Sequence, residues 1–279
     1  MSKKTKNTLG TIGRVFVLAF YMLMVLLPIY WMLVTSLKTR LEIFGSEITY
    51  WPKLLSFQNY IDLFKTTNFI TYVKNSTIIA VLTGLIVLLF ALSGGYALAR
   101  FRFRGKGVMM IAFLVSQMIP STLLLIPSYL IILKLKLNNT IWSLLLFYVV
   151  TNIPFCLITM RSFFARIPDS LEEAACVDGC SQVGALIRVV IPIMLPGIVA
   201  TFVFAFTGAW NELLAAVLFI TKDGAKTIPV GLSSFVNKIS IDWGQMCAGG
   251  IIAMIPTVLM FAFMQKYLVE GMTAGAVKE

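Results

Sequence analysis

Residues Thr77–Ala99 read TIIAVLTGLIVLLFALSGGYALA, an apolar run without a charged side chain. An α-helix of about 20 apolar residues is long enough to cross the hydrocarbon core of a bilayer, which is about 30 Å thick. The whole chain has the same character, because 59% of its 279 residues are hydrophobic and 13% are charged, against about 45–50% and about 25% in a soluble domain. The composition predicts an all-α membrane protein and excludes a disulfide scaffold, a disordered chain and a fibrous repeat.

Five further runs have the length and apolar character of membrane spans: Val15–Leu37, Val108–Leu133, Ile141–Met160, Ile193–Ile220 and Met246–Gln265. Glu212 is the single charged residue within the six spans. The first run follows a basic leader, but it is longer than the apolar core of about 7–15 residues in a signal peptide and lacks a small-residue cleavage pattern. We therefore interpret it as a retained helix.

Basic residues indicate how the spans are oriented. The N-terminal tail carries four basic residues and no acidic one, and so does the connection after the second span. The basic residues are Lys3, Lys4, Lys6 and Arg14 in the tail, and Arg100, Arg102, Arg104 and Lys106 in the connection. Because cytoplasmic segments are enriched in lysine and arginine, we expect the N-terminus, and with six spans the C-terminus, to be cytoplasmic.

The predicted organisation follows from these spans. A cytoplasmic tail, 1–14, precedes the first transmembrane helix, 15–37, and an extracytoplasmic loop, 38–76. A core of five transmembrane helices, 77–268, contains a cytoplasmic loop, 161–192, and a cytoplasmic tail, 269–279, ends the chain. The net charge of +11 is thereby assigned to membrane orientation, and no nucleic-acid partner is expected.

Several chemistries are excluded by composition. The chain contains no histidine, so serine–histidine and cysteine–histidine nucleophilic sites are impossible within it. Of its four cysteines only Cys176 and Cys180 are close in sequence, and two thiols without histidine make a poor zinc site. We expect the cysteines to be reduced residues that fill space. We predict neither a metal nor a cofactor in this chain.

Prolines lie inside the third to the sixth span. They are Pro120, Pro127, Pro154, Pro196 and Pro256. Each removes a backbone donor and bends its helix, which lipid tolerates only where neighbours or water satisfy the freed carbonyl. Bent helices favour a bundle with an internal pathway, although kinks that only improve packing remain an alternative.

The connection Arg161–Pro192 contains a short acidic helix. Ser170 and Glu173 have the spacing of a capping box, which predicts a helix from Leu171 to about Asp178. Gly179 can end this helix in the left-handed conformation, and Ser181 can cap a second helix that leads into the fifth span. No lysine or arginine lies between Pro168 and Ile187.

The predicted helix combines small residues with acidic ones, which are Glu172, Glu173, Ala174, Ala175 and Asp178. Small residues allow close approach, and the acids can meet arginine or lysine of a partner. The pattern alone fits a docking element for a cytoplasmic partner and a capped surface loop equally well.

Sequence motifs resolve this choice. Glu173-Ala174-Ala175, Asp178-Gly179, Ile191-Pro192 and Leu195-Pro196 resemble the EAA loop of ABC-importer permeases, with Cys180 in place of alanine and Leu186 near the usual aromatic residue. Other segments resemble the maltose-type carbohydrate family: Gln117–Pro120, Gly208–Glu212, Ile228–Leu232, Asp242–Gly244 and Gly271–Gly275.

The resemblance implies a type I ABC importer permease in the cytoplasmic membrane of a bacterium or archaeon. It implies four kinds of partner: a second, non-identical permease, two cytoplasmic ATPase subunits that bind ATP and Mg²⁺, an extracytoplasmic solute-binding protein, and membrane lipid. The helix 171–178 would be the coupling helix. The residues that would couple to the ATPases are Glu172, Glu173, Ala174, Ala175, Asp178 and Gly179.

The chain itself is predicted to be a transport subunit and not an enzyme. Leu92–Tyr96 is one residue from the ABC ATPase signature, but it lies in an apolar span, where we expect its glycines to allow close helix packing. No phosphate-binding G-x-x-x-x-G-K-[ST] loop is present. ATP hydrolysis is therefore assigned to the partner subunits.

Polar residues within spans are costly and mark a candidate substrate path. They are Gln117, Ser121, Asn152, Asn211 and Glu212. Glu212 either faces this path or forms a structural pair near the outer interface. Because spans two to six contain no lysine or arginine, a neutral sugar or polyol is favoured over glycerol phosphate or a uronate oligosaccharide.

Two other function classes fit less well. An ion-coupled secondary carrier needs embedded coupling groups, and only Glu212 qualifies. An intramembrane enzyme would lack an evident acid–base pair.

Overall fold

The computed structural model describes residues 3–236 and 241–273, with side chains described for residues 11–236 and 241–267. The described chain is almost entirely helical. The helices are α1 (Lys3–Ser36), α2 (Arg40–Ile43), α3 (Gln58–Thr66), α4 (Phe69–Arg100), α5 (Lys106–Met118), α6 (Ser121–Lys134), α7 (Ile141–Phe164), α8 (Ser170–Val177), α9 (Gln182–Ala185), α10 (Ile191–Ile193), α11 (Leu195–Asn211), α12 (Leu214–Phe219), α13 (Ile228–Ser233) and α14 (Trp243–Thr273). A π-helical turn, Leu186–Val190, joins α9 to α10, and a 3₁₀ turn spans Asp223–Ala225.

Four described helical segments are long and apolar enough to cross a membrane, which agrees with the predicted all-α membrane class. They are Thr11–Ser36, Phe69–Arg100, Ile141–Phe164 and Trp243–Tyr267. Two bent helix pairs raise the number of spans to as many as six if each pair is one span.

The predicted third and fifth spans are broken in the structure. The pair α5 and α6 is bent by 99°, and Pro120 lies at the break. The segment Gln182–Ile193 is bent by 77° against α11, whose second residue is Pro196. Because proline has no N–H to donate, the helical ladder is interrupted most easily at these positions. The other prolines considered above, Pro127, Pro154 and Pro256, lie inside helices that continue through them.

Several helices extend beyond the predicted spans. Helix α1 begins at Lys3 inside the predicted tail 1–14, and α14 continues to Thr273. Residues 274–279 of the predicted tail 269–279, and with them the end of the Gly271–Gly275 motif, lie outside the described residues.

Helix α4 begins at Phe69, well before the predicted start at Thr77, because its first turns have polar partners. Asn75 Nδ2 donates to the backbone oxygens of Gly224 (3.1 Å) and Lys226 (2.9 Å). Ser76 Oγ accepts from the backbone N–H of Ile228 at 2.8 Å. Buried polar groups need hydrogen-bond partners, and these bonds provide them. A hydropathy pattern does not reveal such partners.

The chain divides into two compact units. The first consists of the described residues up to Thr67 together with Leu232–Met254, and the second comprises Asn68–Gly231 and the chain from Ile255 onward. In the first unit, Asn59 Nδ2 donates to the backbone oxygens of Ser36 (2.9 Å) and Lys38 (2.8 Å). These bonds attach α3 to the end of α1.

The core of the second unit lies where α4, α7 and α11 pack together. Its buried residues include Val87, Ala91, Cys156, Met160 and Ala205. Glycines let α4 approach α7 closely, since a Cβ on Gly95 would lie 3.0 Å from the backbone nitrogen of Arg161. The motif Leu92–Tyr96 is thus a helix-packing segment, as the sequence indicated.

Gly95→Val is expected to destabilise the second unit, because the added methyl groups would separate α4 from α7. Overpacking of this kind costs about 1–3 kcal/mol, which should lower the thermal unfolding midpoint of the protein in detergent. Gly107→Val is the matched control, because a Cβ on Gly107 of α5 meets nothing within 4 Å. Equal shifts for the two variants would contradict close packing at Gly95.

Candidate functional site

Helix α8 occupies the position of the predicted coupling helix, but its N-terminus is built differently. The predicted capping box of Ser170 and Glu173 is wrong, because Ser170 is already the first helical residue and no side chain caps the helix. Asp169 precedes it in a helical conformation, with φ −60° and ψ −28°. Its carbonyl oxygen accepts from the backbone N–H groups of Glu172 (3.0 Å) and Glu173 (3.1 Å). The backbone therefore supplies the acceptor that the serine was expected to provide.

The end of α8 agrees with the sequence. Gly179 has φ +92°, the left-handed conformation, and its N–H donates to Cys176 O at 3.1 Å. The N–H of Cys180 donates to Ala175 O at 2.9 Å, which completes a Schellman motif. Ser181 Oγ then accepts from the N–H of Gly184 at 3.1 Å and caps α9, as predicted.

Arg100, the last residue of α4, holds the segment that leads into α8. Its Nε lies 2.6 Å from Glu172 Oε1, and its Nη1 lies 2.7 Å from Asp169 Oδ1. It also donates to the backbone oxygens of Phe164 (3.2 Å) and Ile167 (3.0 Å). One nearly buried guanidinium thus contacts the end of α7, the linker and α8.

Tyr96 completes this cluster. Its hydroxyl donates to Glu172 Oε2 at 2.8 Å, so both carboxylate oxygens of Glu172 are bonded to α4. Its ring packs edge-on against Phe164, with centroids 5.4 Å apart. Sequence reasoning used Arg100 only as an orientation signal and Tyr96 only as the last residue of the segment Leu92–Tyr96, and it linked neither residue to the coupling loop. Their i, i+4 spacing places them on one face of α4, but their partner is distant in sequence.

The six predicted coupling residues divide between two faces of α8. Glu172, whose side chain is 14% exposed, and Ala175, which is buried, face the other helices of the second unit, to which α8 itself belongs. Glu173, Ala174, Asp178 and Gly179 are exposed, as is Val177, at 87%. We call the exposed residues Glu173, Ala174, Val177 and Asp178 the outer face of α8.

A cavity of about 120 Å³ in the second unit contains three of the five predicted path residues, Ser121, Asn152 and Glu212. Gln117 and Asn211 are exposed and do not line it. The lining residues are Ser121, Thr122, Leu125, Phe147, Tyr148, Thr151, Asn152, Gly208, Glu212 and Leu214. The breaks at α5–α6 and α11–α12 both border this cavity, which is where a membrane protein tolerates irregular backbone.

Glu212 both lines the cavity and holds its wall together. Its Oε2 accepts from the Tyr148 hydroxyl at 2.8 Å. Its carboxylate also accepts from the backbone N–H groups of Ala215 (2.9 Å) and Ala216 (3.2 Å) in the first turn of α12. These bonds support the interpretation of Glu212 as a structural residue. Its place on a substrate path stays a prediction.

The loop at the other end of α4 is held by Asp223, which sequence reasoning missed. Its carboxylate accepts from the Tyr72 hydroxyl (2.6 Å) and from Asn68 Nδ2 (2.5 Å), and it pairs with Lys226 Nζ (2.9 Å). These bonds, first of all the one from Tyr72, lower the pKa of Asp223 to about 2. Asp223 therefore remains a carboxylate at neutral pH.

Among the side chains described for residues 11–236 and 241–267, no three cysteine, aspartate or glutamate residues lie close enough together to hold a metal ion. The cysteines are free, with Cys156 buried and Cys176 exposed.

Comparison with known proteins gives consistent matches. Residues 91–274 match the family described as binding-protein-dependent transport system inner membrane component. The diacetylchitobiose uptake system permease protein DasC of Streptomyces coelicolor is 36% identical over 90% of this chain and 91% of its own length. The trehalose/maltose transport system permease protein MalG of Thermococcus litoralis is 35% identical over 91% of each chain. A solved bacterial ABC transporter, involved in the import of the acidic polysaccharide alginate, has a chain with the same fold, with a TM-score of 0.81, 22% identity and coverage of 96% of this chain and 99% of that one.

Proposed function

Because this chain belongs to the family of binding-protein-dependent transport system inner membrane components, and is thus an ABC importer permease, we propose that it forms half of the translocation path for a sugar or oligosaccharide. The names of the two relatives, for diacetylchitobiose uptake and trehalose/maltose transport, support a carbohydrate substrate. The observation that carries the coupling part of the proposal is the division of α8 into an anchored face and an outer face.

The proposed topology counts each bent helix pair as one span, which gives six spans with both tails, 1–14 and 269–279, in the cytoplasm. The basic residues of the N-terminal tail and of the connection after α4 support this orientation. The first transmembrane helix then leads to the extracytoplasmic loop 38–76, and the five-helix permease core, 77–268, includes the coupling loop 161–192. The membrane is the cytoplasmic membrane of a bacterium or archaeon.

The outer face of α8 is proposed to seat on an ATPase subunit. Exposed Val177 and Ala174 provide an apolar contact, and Glu173 provides a charge for an arginine or lysine of the partner. The complete importer would contain a second, non-identical permease, two ATPases that bind ATP and Mg²⁺, and an extracytoplasmic solute-binding protein. Lipid would surround the exposed apolar faces of α1 and α14.

The cavity at Glu212 is proposed to be part of the solute path. Its walls offer the hydroxyl groups of Ser121, Thr122 and Thr151 and the amide of Asn152, which suit the hydroxyl groups of a sugar. Glu212 is the one charged side chain among the described lining residues. An anionic solute would meet this carboxylate without a balancing cation, so a neutral sugar or polyol is favoured over glycerol phosphate or a uronate oligosaccharide.

Purification of the tagged chain from its native membrane tests the proposal. Co-purification of a second permease and two ATPase copies supports the importer. A lone homo-oligomer that takes up solute with a proton or sodium gradient would instead show an ion-coupled carrier. A thermal-shift screen of sugars on the partner binding protein would identify the solute.

Glu173→Lys is expected to reduce the amount of co-purified ATPase at least about tenfold, because a like charge at a docking surface costs several kcal/mol. Quantitative gels of the tagged complex measure the ratio of ATPase to permease. Glu47→Lys is the matched control, since Glu47 is an exposed acid in the predicted extracytoplasmic loop, paired with exposed Lys53. Full ATPase recovery with Glu173→Lys would show that α8 does not dock through this residue.

A further inference from the structure

We propose that Arg100 is the positioning residue that transmits displacement of α8 to α4 and α7, an inference that rests on the proposed coupling function. A coupling helix does work only if its movement reaches the membrane helices. Between α7 and α8 lie Ala165–Asp169, a linker without regular helical structure. A linker of this kind could absorb the movement unless α8 has a second, stiffer attachment.

The Arg100 cluster provides that attachment. The guanidinium is planar, and its five N–H donors have fixed directions. Here its three nitrogens reach four acceptors: two carboxylates and the backbone oxygens of Phe164 and Ile167. The side chains of Arg100 and Glu172 are 10% and 14% exposed, so water competes little for the bond between them, and charge-assisted bonds in such surroundings are strong. The Asp169 side chain is 72% exposed, so its ion pair with Arg100 is screened by water and contributes less.

The attachment joins α8 to both membrane helices at once. Arg100 is the last residue of α4, and it donates to Phe164 O, a terminal carbonyl of α7 that also accepts from the N–H of Ile167. Tyr96, one turn earlier in α4, holds the second oxygen of Glu172. The end of α4 packs closely on α7 at Gly95, where a side chain would hold the two helices apart. A displacement of Glu172 is therefore passed to a rigid helix pair.

Glu172 and Glu173 consequently have different tasks. Glu172 is directed to Arg100 and Tyr96 of its own chain, whereas Glu173 is exposed on the outer face. The neighbouring acids of the loop divide into one that fixes the helix to its own subunit and one that is available to the ATPase.

The test uses the complete importer, with both permeases and the ATPases, in lipid nanodiscs, and needs no solute. Hydrogen–deuterium exchange is measured with and without MgATP and vanadate for two peptides. One covers α8, residues 170–178, and the other covers α6, residues 121–134, which packs on α7 and would move with it. In the wild-type complex, nucleotide should alter exchange in both segments. With Arg100→Met, the change in 170–178 should persist, and at least half of the change in 121–134 should be lost.

Arg104→Met is the matched control. Arg104 lies in the same basic connection and is exposed, so it should leave both responses as in the wild type. Tyr96→Phe keeps the ring contact and removes the bond to Glu172, and it should weaken the response in 121–134 partially. Tyr96→Phe and Arg100→Lys decide the test if Arg100→Met does not accumulate.

The outcomes separate the two proposals. An unaltered response in 121–134 with Arg100→Met would overturn the role of Arg100. If Arg100→Met does not accumulate, an unaltered response with both Tyr96→Phe and Arg100→Lys would overturn it. A wild-type chain that neither retains ATPases nor responds to nucleotide would instead overturn the proposed function. Loss of the response in both segments with Arg100→Met would show that Arg100 only maintains the docking surface, which also contradicts transmission.

Discussion

Gly179→Val is expected to abolish ATP-driven uptake and the association with ATPases, while the chain still inserts in the membrane. Gly179 has φ +92°, a conformation that costs a residue with a Cβ roughly 1–2 kcal/mol and is least favourable for a β-branched one. A Cβ at this position would meet nothing within 4 Å, so the effect is conformational and does not come from a clash. The Schellman bonds of Gly179 and Cys180 would be lost, and the orientation of α8 relative to α9 would change.

Gly179→Asn is the control that isolates this cause, because asparagine adopts the left-handed conformation more readily than other residues with a side chain. It should retain most uptake and most bound ATPase. Membrane insertion is measured by the amount of chain in washed membranes, and association by co-purification. Wild-type uptake and ATPase recovery with Gly179→Val would show that this turn does not orient α8.

Glu212→Leu is expected to lower the thermal unfolding midpoint in detergent by roughly 5 °C or more and to abolish transport. The substitution leaves the Tyr148 hydroxyl and the N–H groups of Ala215 and Ala216 without their acceptor. Each buried donor left unsatisfied costs about 1–3 kcal/mol. The first turn of α12 would then lose its cap, and the wall of the cavity would change with it.

Tyr148→Phe separates the contribution of the Tyr148 hydroxyl from that of the two backbone bonds of Glu212, because it removes the hydroxyl and leaves the backbone bonds in place. It should lower the unfolding midpoint by clearly less than Glu212→Leu. Differential scanning fluorimetry of the purified variants gives both values. A Glu212→Leu protein as stable as the wild type would show that the carboxylate does not cap α12.

The membrane class and the regions of the spans were predictable, because the apolar composition and the length of the uncharged apolar runs carry that information. The breaks were predictable only in part. Pro120 and Pro196 mark two of them, but the chain also leaves the helix at Glu212, where no proline or glycine gives a signal. At that break the Glu212 carboxylate accepts from the N–H groups of Ala215 and Ala216 and from the Tyr148 hydroxyl, and the last of these contacts joins residues far apart in sequence. The early start of α4 likewise depends on the loop that Asn75 and Ser76 contact.

The candidate site shows the same division. Gly179 and Ser181 were assigned correctly because a helix end and a cap are local properties. The capping box was wrong because the same local pattern has a competing solution, with the Asp169 carbonyl as acceptor. The difference between Glu172 and Glu173 could not be read from the sequence, since it depends on where Arg100 and Tyr96 lie in space. Their roles in coupling stay predictions until the variants are measured.

The two faces of α8 also bear on how importers of this kind diverge. Glu173, Ala174 and Val177 are exposed, whereas the bonds that hold the helix to its own subunit run through Glu172. Substitutions on the outer face therefore remove few contacts within the subunit and carry little risk to folding. If the outer face seats on an ATPase as proposed, a duplicated copy of this chain could acquire a preference for a different ATPase by changing a few surface side chains, while the internal anchor and the membrane core are inherited unchanged.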